Sequence, residues 1–89
     1  MDELSRRIRM GINEYNKYRS PEANAELIEY KDRRFRVKFT GPYCRTCGYY
    51  DYFEDLVYEL LDLGVKSRVV NIVDHVDWAE VEYEVMEEA

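Results

Sequence analysis

The stretch RFRVKFT, residues 34–40, alternates strictly between polar and apolar side chains. Successive side chains of a β-strand point to opposite faces of a sheet. This alternation therefore predicts a strand with one buried face and one solvent-exposed, or wet, face. The aromatic rings of Phe35 and Phe39 would enter the core. The wet face would carry a basic ladder of three cations that are candidate binding residues: Arg34, Arg36 and Lys38.

The preceding segment, residues 26–31, can pair with this strand through a turn at Asp32-Arg33. The two segments would then form an antiparallel hairpin. The expected register sets three pairs of residues opposite one another: Ile28 and Val37, Tyr30 and Phe35, and Glu29 and Arg36. The first two pairs would be buried, and the third would join opposite charges on the wet face.

A second hairpin is predicted near the end of the chain. Residues 65–73 are rich in β-branched side chains, and residues 78–86 alternate between apolar residues and glutamates. A two-residue loop would leave Arg68 on the apolar face, where an unpaired cation is costly. We therefore prefer a three-residue loop, which places Arg68 opposite Glu84 and Val69 opposite Tyr83.

The second hairpin would carry an acidic ladder on its wet face, formed by Glu80, Glu82 and Glu84. If its strand lies beside the strand of residues 34–40, the basic and acidic ladders neutralise each other. If the two strands are apart, the sheet presents one positive and one negative stripe to a partner. The sequence leaves both arrangements open.

Two amphipathic helices complete the predicted fold. Apolar residues recur at helical spacing from Leu4 to Tyr15, which predicts a helix over about residues 2–18, ended by Ser20-Pro21. A second apolar stripe runs from Phe53 to Leu63, with Gly64 placed to end that helix. Asp51 and Glu54 have the spacing of a capping pair, which would start the second helix near Tyr52.

The predicted order of elements is α-β-β-α-β-β. One-sided strands and amphipathic helices pack in layers, so we expect an α+β two-layer sandwich with a four-stranded antiparallel sheet and both helices on one face. A chain of 89 residues is expected to form one domain, residues 1–89.

The chain is acidic, but its charge is unevenly divided. The formal net charge is −6 and the pI is near 4.8, which argues against nucleic acid as a partner. Residues 1–48 hold 11 Lys/Arg and 7 Asp/Glu, whereas residues 49–89 hold 2 and 12. No apolar run approaches the ~20 residues of a membrane span. With no apolar signal core at the N-terminus, we expect a cytoplasmic protein without a membrane partner.

The segment GPYCRTCG, residues 41–48, contains a CxxC motif between a predicted strand and a predicted helix. A thiol near a helix N-terminus is more acidic than usual, and Arg45 adds a cation nearby. Cys44 would be the catalytic nucleophile and Cys47 the resolving thiol. Two tyrosines that flank the motif, Tyr43 and Tyr49, are further candidate binding residues together with Arg45.

Residues 37–73 locally resemble the first strand–helix–strand unit of glutaredoxins and other thioredoxin-like proteins. The matching pieces are PYC at 42–44 with Cys47, LLDLGV at 60–65 and VVNI at 69–72. The small selenoprotein-W-like proteins are more loosely similar. The resemblance implies thiol–disulfide exchange through a mixed disulfide. The Pro-Tyr pair here precedes both cysteines, whereas in glutaredoxins it lies between them.

Three other interpretations of the same residues stay open. The cysteines can be structural, in a domain that binds a protein partner or associates with itself through tyrosines and strand edges. Cys44 and Cys47 can also bind zinc with His75 and one aspartate, Asp74 or Asp77, but the chain has neither a second CxxC nor a spaced pair of histidines. The basic ladder can contact phosphates. We predict no cofactor and no metal.

Overall fold

The structure is a computed structural model that describes residues 2–41 and 49–88. It contains two helices, α1 (Glu3–Arg19) and α2 (Tyr49–Leu61), and four strands, β1 (Asn24–Lys31), β2 (Arg34–Thr40), β3 (Val65–Asp74) and β4 (Trp78–Glu88). The predicted α+β class and the order α-β-β-α-β-β are confirmed. Neither described helix is long and apolar enough to cross a membrane.

The four strands form one sheet in the order β1-β2-β4-β3, with every neighbouring pair antiparallel. The central strands β2 and β4 come from the two different hairpins. Of the two arrangements that the sequence left open, the structure therefore has the one in which the basic strand β2 lies beside the acidic strand β4.

The first hairpin has its predicted register from Glu29 to Tyr30 and is shifted by one residue in the part of β1 before them. Tyr30 lies opposite Phe35 as expected, but Leu27 rather than Ile28 lies opposite Val37. The register shifts between Leu27 and Glu29, so Ile28 occupies a bulge and is 45% exposed. The bulge has a physical reason, because it lets Leu27 and Tyr30 both face the core although they are three positions apart along the strand, which in a regular strand would point them to opposite faces.

The second hairpin has the predicted longer loop, residues 75–77, between β3 and β4. Arg68 lies opposite Glu84 and Val69 lies opposite Tyr83, as expected. A register shift between Val69 and Asn71 then turns Ile72 back toward Val81 and the core.

The helix ends agree only partly with the sequence prediction. The Asp2 side chain accepts a hydrogen bond from the Ser5 backbone N–H at 2.7 Å and so caps α1. The predicted start of α2 near Tyr52 is wrong. The described helix begins at Tyr49, so Asp51 lies in its first turn, where a carboxylate interacts favourably with the helix dipole. Gly64 follows α2 with a φ of +83°, as expected of a glycine that ends a helix.

The core lies between the helices and the sheet. The Phe39 ring on β2 contacts Tyr15 of α1 at 5.6 Å and Phe53 of α2 at 4.8 Å between ring centroids. One side chain of β2 thus contacts both helices, which places both on the face of the sheet that Phe39 occupies. The same buried cluster includes Val37 and Tyr83 of the central strands.

The two helices run antiparallel and pack closely. A Cβ atom added at Gly11 of α1 would lie 2.4 Å from Leu60 Cδ2 of α2. At the other end of the pair, the Arg19 guanidinium forms an ion pair with Asp55 and lies 5.2 Å from the Tyr52 ring centroid. Glycine at position 11 therefore sets how near the helices approach.

Candidate functional site

The predicted dithiol site falls largely outside the described residues. Tyr43, Cys44, Arg45 and Cys47 lie between Gly41 and Tyr49, and only the backbone of Tyr49 is described. The described chain stops after β2 and resumes at the first residue of α2. Along the chain, the CxxC motif thus lies between the strand β2 and the helix α2, which is the order that the sequence predicts.

The chain leaves β2 at a constrained position. Gly41 has a φ of +126°, and a Cβ atom there would lie 2.4 Å from the carbonyl oxygen of Glu22. The preceding residue, Thr40, lies opposite Trp78 of β4. Glycine is therefore the residue that fits at position 41, where β2 ends next to the start of β4.

The first turns of α2 carry more negative than positive charge. Asp51, Glu54 and Asp55 lie on the helix, and Arg19 of α1 is the described cation paired with it. Burial raises the pKa of Tyr50, and its hydrogen bond with Glu54 raises that pKa further. Any thiolate beside this end of α2 would gain from the helix dipole and lose from these carboxylates.

The predicted basic ladder lies on the outer face of β2 and is paired with β4. In the register, Arg34 lies opposite Glu84, Arg36 opposite Glu82 and Lys38 opposite Glu80. Arg34 reaches Glu82 at 3.5 Å and Glu84 at 3.7 Å. Arg36 reaches Glu80 at 2.9 Å and also pairs with Glu29, whereas the Lys38 ammonium lies 5.0 Å from the Trp78 ring centroid.

These ion pairs change what the outer face can bind. The hydrogen bond from Arg68 lowers the pKa of Glu84, and the hydrogen bond with Glu29 raises the pKa of Arg36. The Glu84 carboxylate and the Arg36 guanidinium therefore both stay charged near neutral pH and keep their ion pairs. A phosphate backbone would have to displace carboxylates from Arg34 and Arg36 and would meet the acidic ladder beside them. The described charges thus weigh against nucleic acid on this face.

The residues of the alternative zinc site are only partly described. The His75 ring stacks on Trp78 with centroids 3.9 Å apart, and its backbone N–H donates to the Trp78 carbonyl at 2.8 Å. Within residues 2–41 and 49–88, no group of three or more His, Cys, Asp or Glu side chains is placed to hold a metal ion. The two cysteines lie outside these ranges.

A groove between the two helices is the site that sequence reasoning missed. It has a volume of about 770 Å³. On α1 it is lined by Met10, Glu14, Lys17 and Tyr18, and on the α2 side by Glu59, Asp62 and Leu63. A smaller depression of about 240 Å³ shares Tyr18 and Glu59 and extends to Arg19 and Asp55. We call this continuous surface the helix groove.

A sequence signal for the helix groove existed. Met10, Glu14, Lys17 and Tyr18 recur at helical spacing beside the buried stripe of α1, and the segment of α2 contains no lysine or arginine. Each pattern alone is typical of a solvated helix face. Only the antiparallel packing of α1 on α2 brings the two faces together.

No protein-family model, no curated protein and no solved structure matches the chain. The local resemblance of residues 37–73 to glutaredoxins and to selenoprotein-W-like proteins stays a prediction from sequence.

Proposed function

We propose that this chain is a small dithiol protein that exchanges thiols and disulfides through Cys44 and Cys47. The observation that carries the proposal is that the described part of α2 begins at Tyr49, only two residues after Cys47 in the sequence. Because the motif is this close to α2 in sequence, we expect its thiols to lie near the N–H groups of the first turn. Such N–H groups stabilise a thiolate, which is the reactive form of cysteine.

The proposed reaction uses both thiols in sequence. The Cys44 thiolate attacks one sulfur of a partner's disulfide, which forms a mixed disulfide and releases the partner's other sulfur as a thiolate. The Cys47 thiolate then attacks the Cys44 sulfur. This second step forms the Cys44–Cys47 disulfide, releases the partner's remaining thiolate and leaves the partner reduced by two electrons. A thiol reductant of the cell would return the pair to the dithiol.

Two cysteine variants test the proposal. The chain is reacted with the model disulfide 5,5′-dithiobis(2-nitrobenzoic acid), and the mixed disulfide is detected by mass spectrometry of the intact protein. Cys47→Ser should accumulate the adduct at Cys44, because the resolving thiol is gone. Cys44→Ser, which differs by the same atom, should react at least about tenfold more slowly at neutral pH, since Cys47 is expected to be the less reactive thiol.

A second measurement separates catalysis from mere thiol exposure. The parent chain should reduce insulin disulfides with dithiothreitol as the reductant, and either single variant should lose the activity. If Cys44→Ser reduces insulin as fast as the parent chain, the dithiol proposal is wrong.

A further inference from the structure

We propose that the helix groove binds a basic, amphipathic segment of a partner protein. The inference is independent of the dithiol, because the residues that carry it belong to α1, α2 and the turn after α2. Their shape, exposure and charge are the three observations from which it is argued.

The groove offers apolar surface that the fold itself does not cover. Met10 is 41% exposed and Tyr18 is 74% exposed, and Tyr58, which lines the smaller depression, is 60% exposed. Exposed apolar and aromatic side chains gathered along one groove are typical of protein-binding surfaces. Tyrosine is suited to this role, since it adds contact area with little loss of conformational freedom.

The charge of the groove selects the partner. Lys17 is paired with Glu14 at 2.8 Å, and Arg19 is paired with Asp55, so both cations of the lining are neutralised. Glu59 and Asp62, one helical turn apart, pair with no cation in the described part of the chain. These two carboxylates and the exposed tyrosine rings beside them favour a partner that carries lysine or arginine. Such a side chain can form an ion pair with a carboxylate and can also lie over a tyrosine ring.

The length of the groove sets the size of the segment. From Met10 to Arg19 it follows nine residue steps of α1, which is about 14 Å at 1.5 Å per residue. That length fits between two and three turns of a bound helix. A helix of this length can place a basic side chain at Glu59 and Asp62 while its apolar side chains contact Met10 and Tyr18.

The test uses a fluorescein-labelled probe peptide of leucines and lysines arranged as an amphipathic helix, and a matched peptide in which glutamate replaces lysine. Fluorescence anisotropy of the intact chain should show binding of the lysine peptide only. The double variant Glu59→Gln/Asp62→Asn should weaken binding about tenfold, which corresponds to two partly exposed ion pairs.

The control has the same change in net charge at a distance from the groove. The double variant Glu26→Gln/Asp77→Asn alters exposed residues of β1 and of the β3–β4 loop and should bind the probe like the parent chain. For the apolar contacts, Tyr18→Ser should weaken binding, whereas Val76→Ser at the 92%-exposed loop residue should not. Equal loss in the two charge variants would show attraction to net charge alone and would overturn the inference, as would unchanged binding by both Tyr18→Ser and Glu59→Gln/Asp62→Asn.

Discussion

The hydroxyl of Tyr83 donates a hydrogen bond to the backbone carbonyl of Phe53 at 2.9 Å, in a fully buried position. The bond joins the central strand β4 to the second turn of α2. Burial raises the pKa of Tyr83 well above its ordinary value of 10.0, so this hydroxyl stays a donor throughout the physiological pH range. The contact thus fixes α2 over the sheet close to the helix end that follows the CxxC motif.

Tyr83→Phe should lower the free energy of unfolding by about 1 kcal/mol, because it removes this buried hydrogen bond and keeps the ring that stacks on Phe35. Urea denaturation followed by circular dichroism measures the change. Tyr30→Phe is the matched control, since the contact that the Tyr30 hydroxyl makes with Asp2 is exposed and 3.4 Å long. A larger loss in the control than in Tyr83→Phe would contradict the prediction.

Gly11→Ala should also destabilise the protein, by about 1–2 kcal/mol. Alanine favours the helix by up to ~1 kcal/mol, but the added methyl group overlaps the fully buried Leu60 side chain, and overpacking costs about 1–3 kcal/mol. Thermal and urea denaturation measure the balance.

The double variant Gly11→Ala/Leu60→Val shows whether the overlap is the cause. It removes a methylene from Leu60 and should be more stable than the sum of the two single losses predicts. Additive losses would mean that the methyl group at position 11 and Leu60 do not meet.

Two substitutions in the turn of the first hairpin should stabilise the protein. Asp32 and Arg33 both have positive φ, 55° and 63°, which is the conformation of a two-residue hairpin turn that Asn-Gly prefers. Asp32→Asn/Arg33→Gly should raise the free energy of unfolding by about 1 kcal/mol, because glycine adopts a positive φ without the steric cost paid by arginine.

The same double variant removes the ion pair between Arg33 and Glu88, which are 2.7 Å apart. Glu88→Gln measures that loss separately, and we expect it to be below about 1 kcal/mol for a pair this exposed. A net decrease in stability in the turn variant, with Glu88→Gln neutral, would refute the interpretation of the turn.

Acid should weaken the fold partly through Glu84. Its folded-state pKa is lowered by the hydrogen bond from Arg68, so the carboxylate stabilises the fold above the ordinary pKa of 4.5 and loses that contribution as the pH falls through the lower folded value. Glu84→Gln should therefore be less stable than the parent chain at pH 7 and should lose less stability on acidification. Unfolding by urea at pH 7 and at a pH below the folded-state pKa of Glu84 measures this. Asp77→Asn is the control at an exposed loop residue.

The strands show how much of this fold could be predicted from the sequence. Strict alternation predicted β2 and β4 because one buried face is enough to determine which residues point inward. Arg68 determined the register of the second hairpin, since the cost of burying a cation excluded the shorter loop. The bulge at Ile28 was not predictable, because Ile28 and Leu27 are equally apolar and only the packing of β1 against α1 chooses between them.

The candidate site was less accessible from sequence. The complementary ladders at residues 34–38 and 80–84 allowed a pairing of β2 with β4 but did not require it, since each ladder alone is an ordinary wet face. The start of α2 was misplaced because Asp51 and Glu54 have the spacing of a capping pair, although both lie within the helix. The helix groove depends on which faces of α1 and α2 meet, and that is a property of tertiary packing.

The sheet order has a consequence for a chain cut between residues 41 and 49. One fragment would keep α1, β1 and β2, and the other would keep α2, β3 and β4, so each is a helix with an intact hairpin. All 7 residues of β2 have partners on β4 across the junction, and the two fragments carry opposite charge. Such halves are suited to reassemble from separate polypeptides, which makes this architecture a natural scaffold for a split reporter.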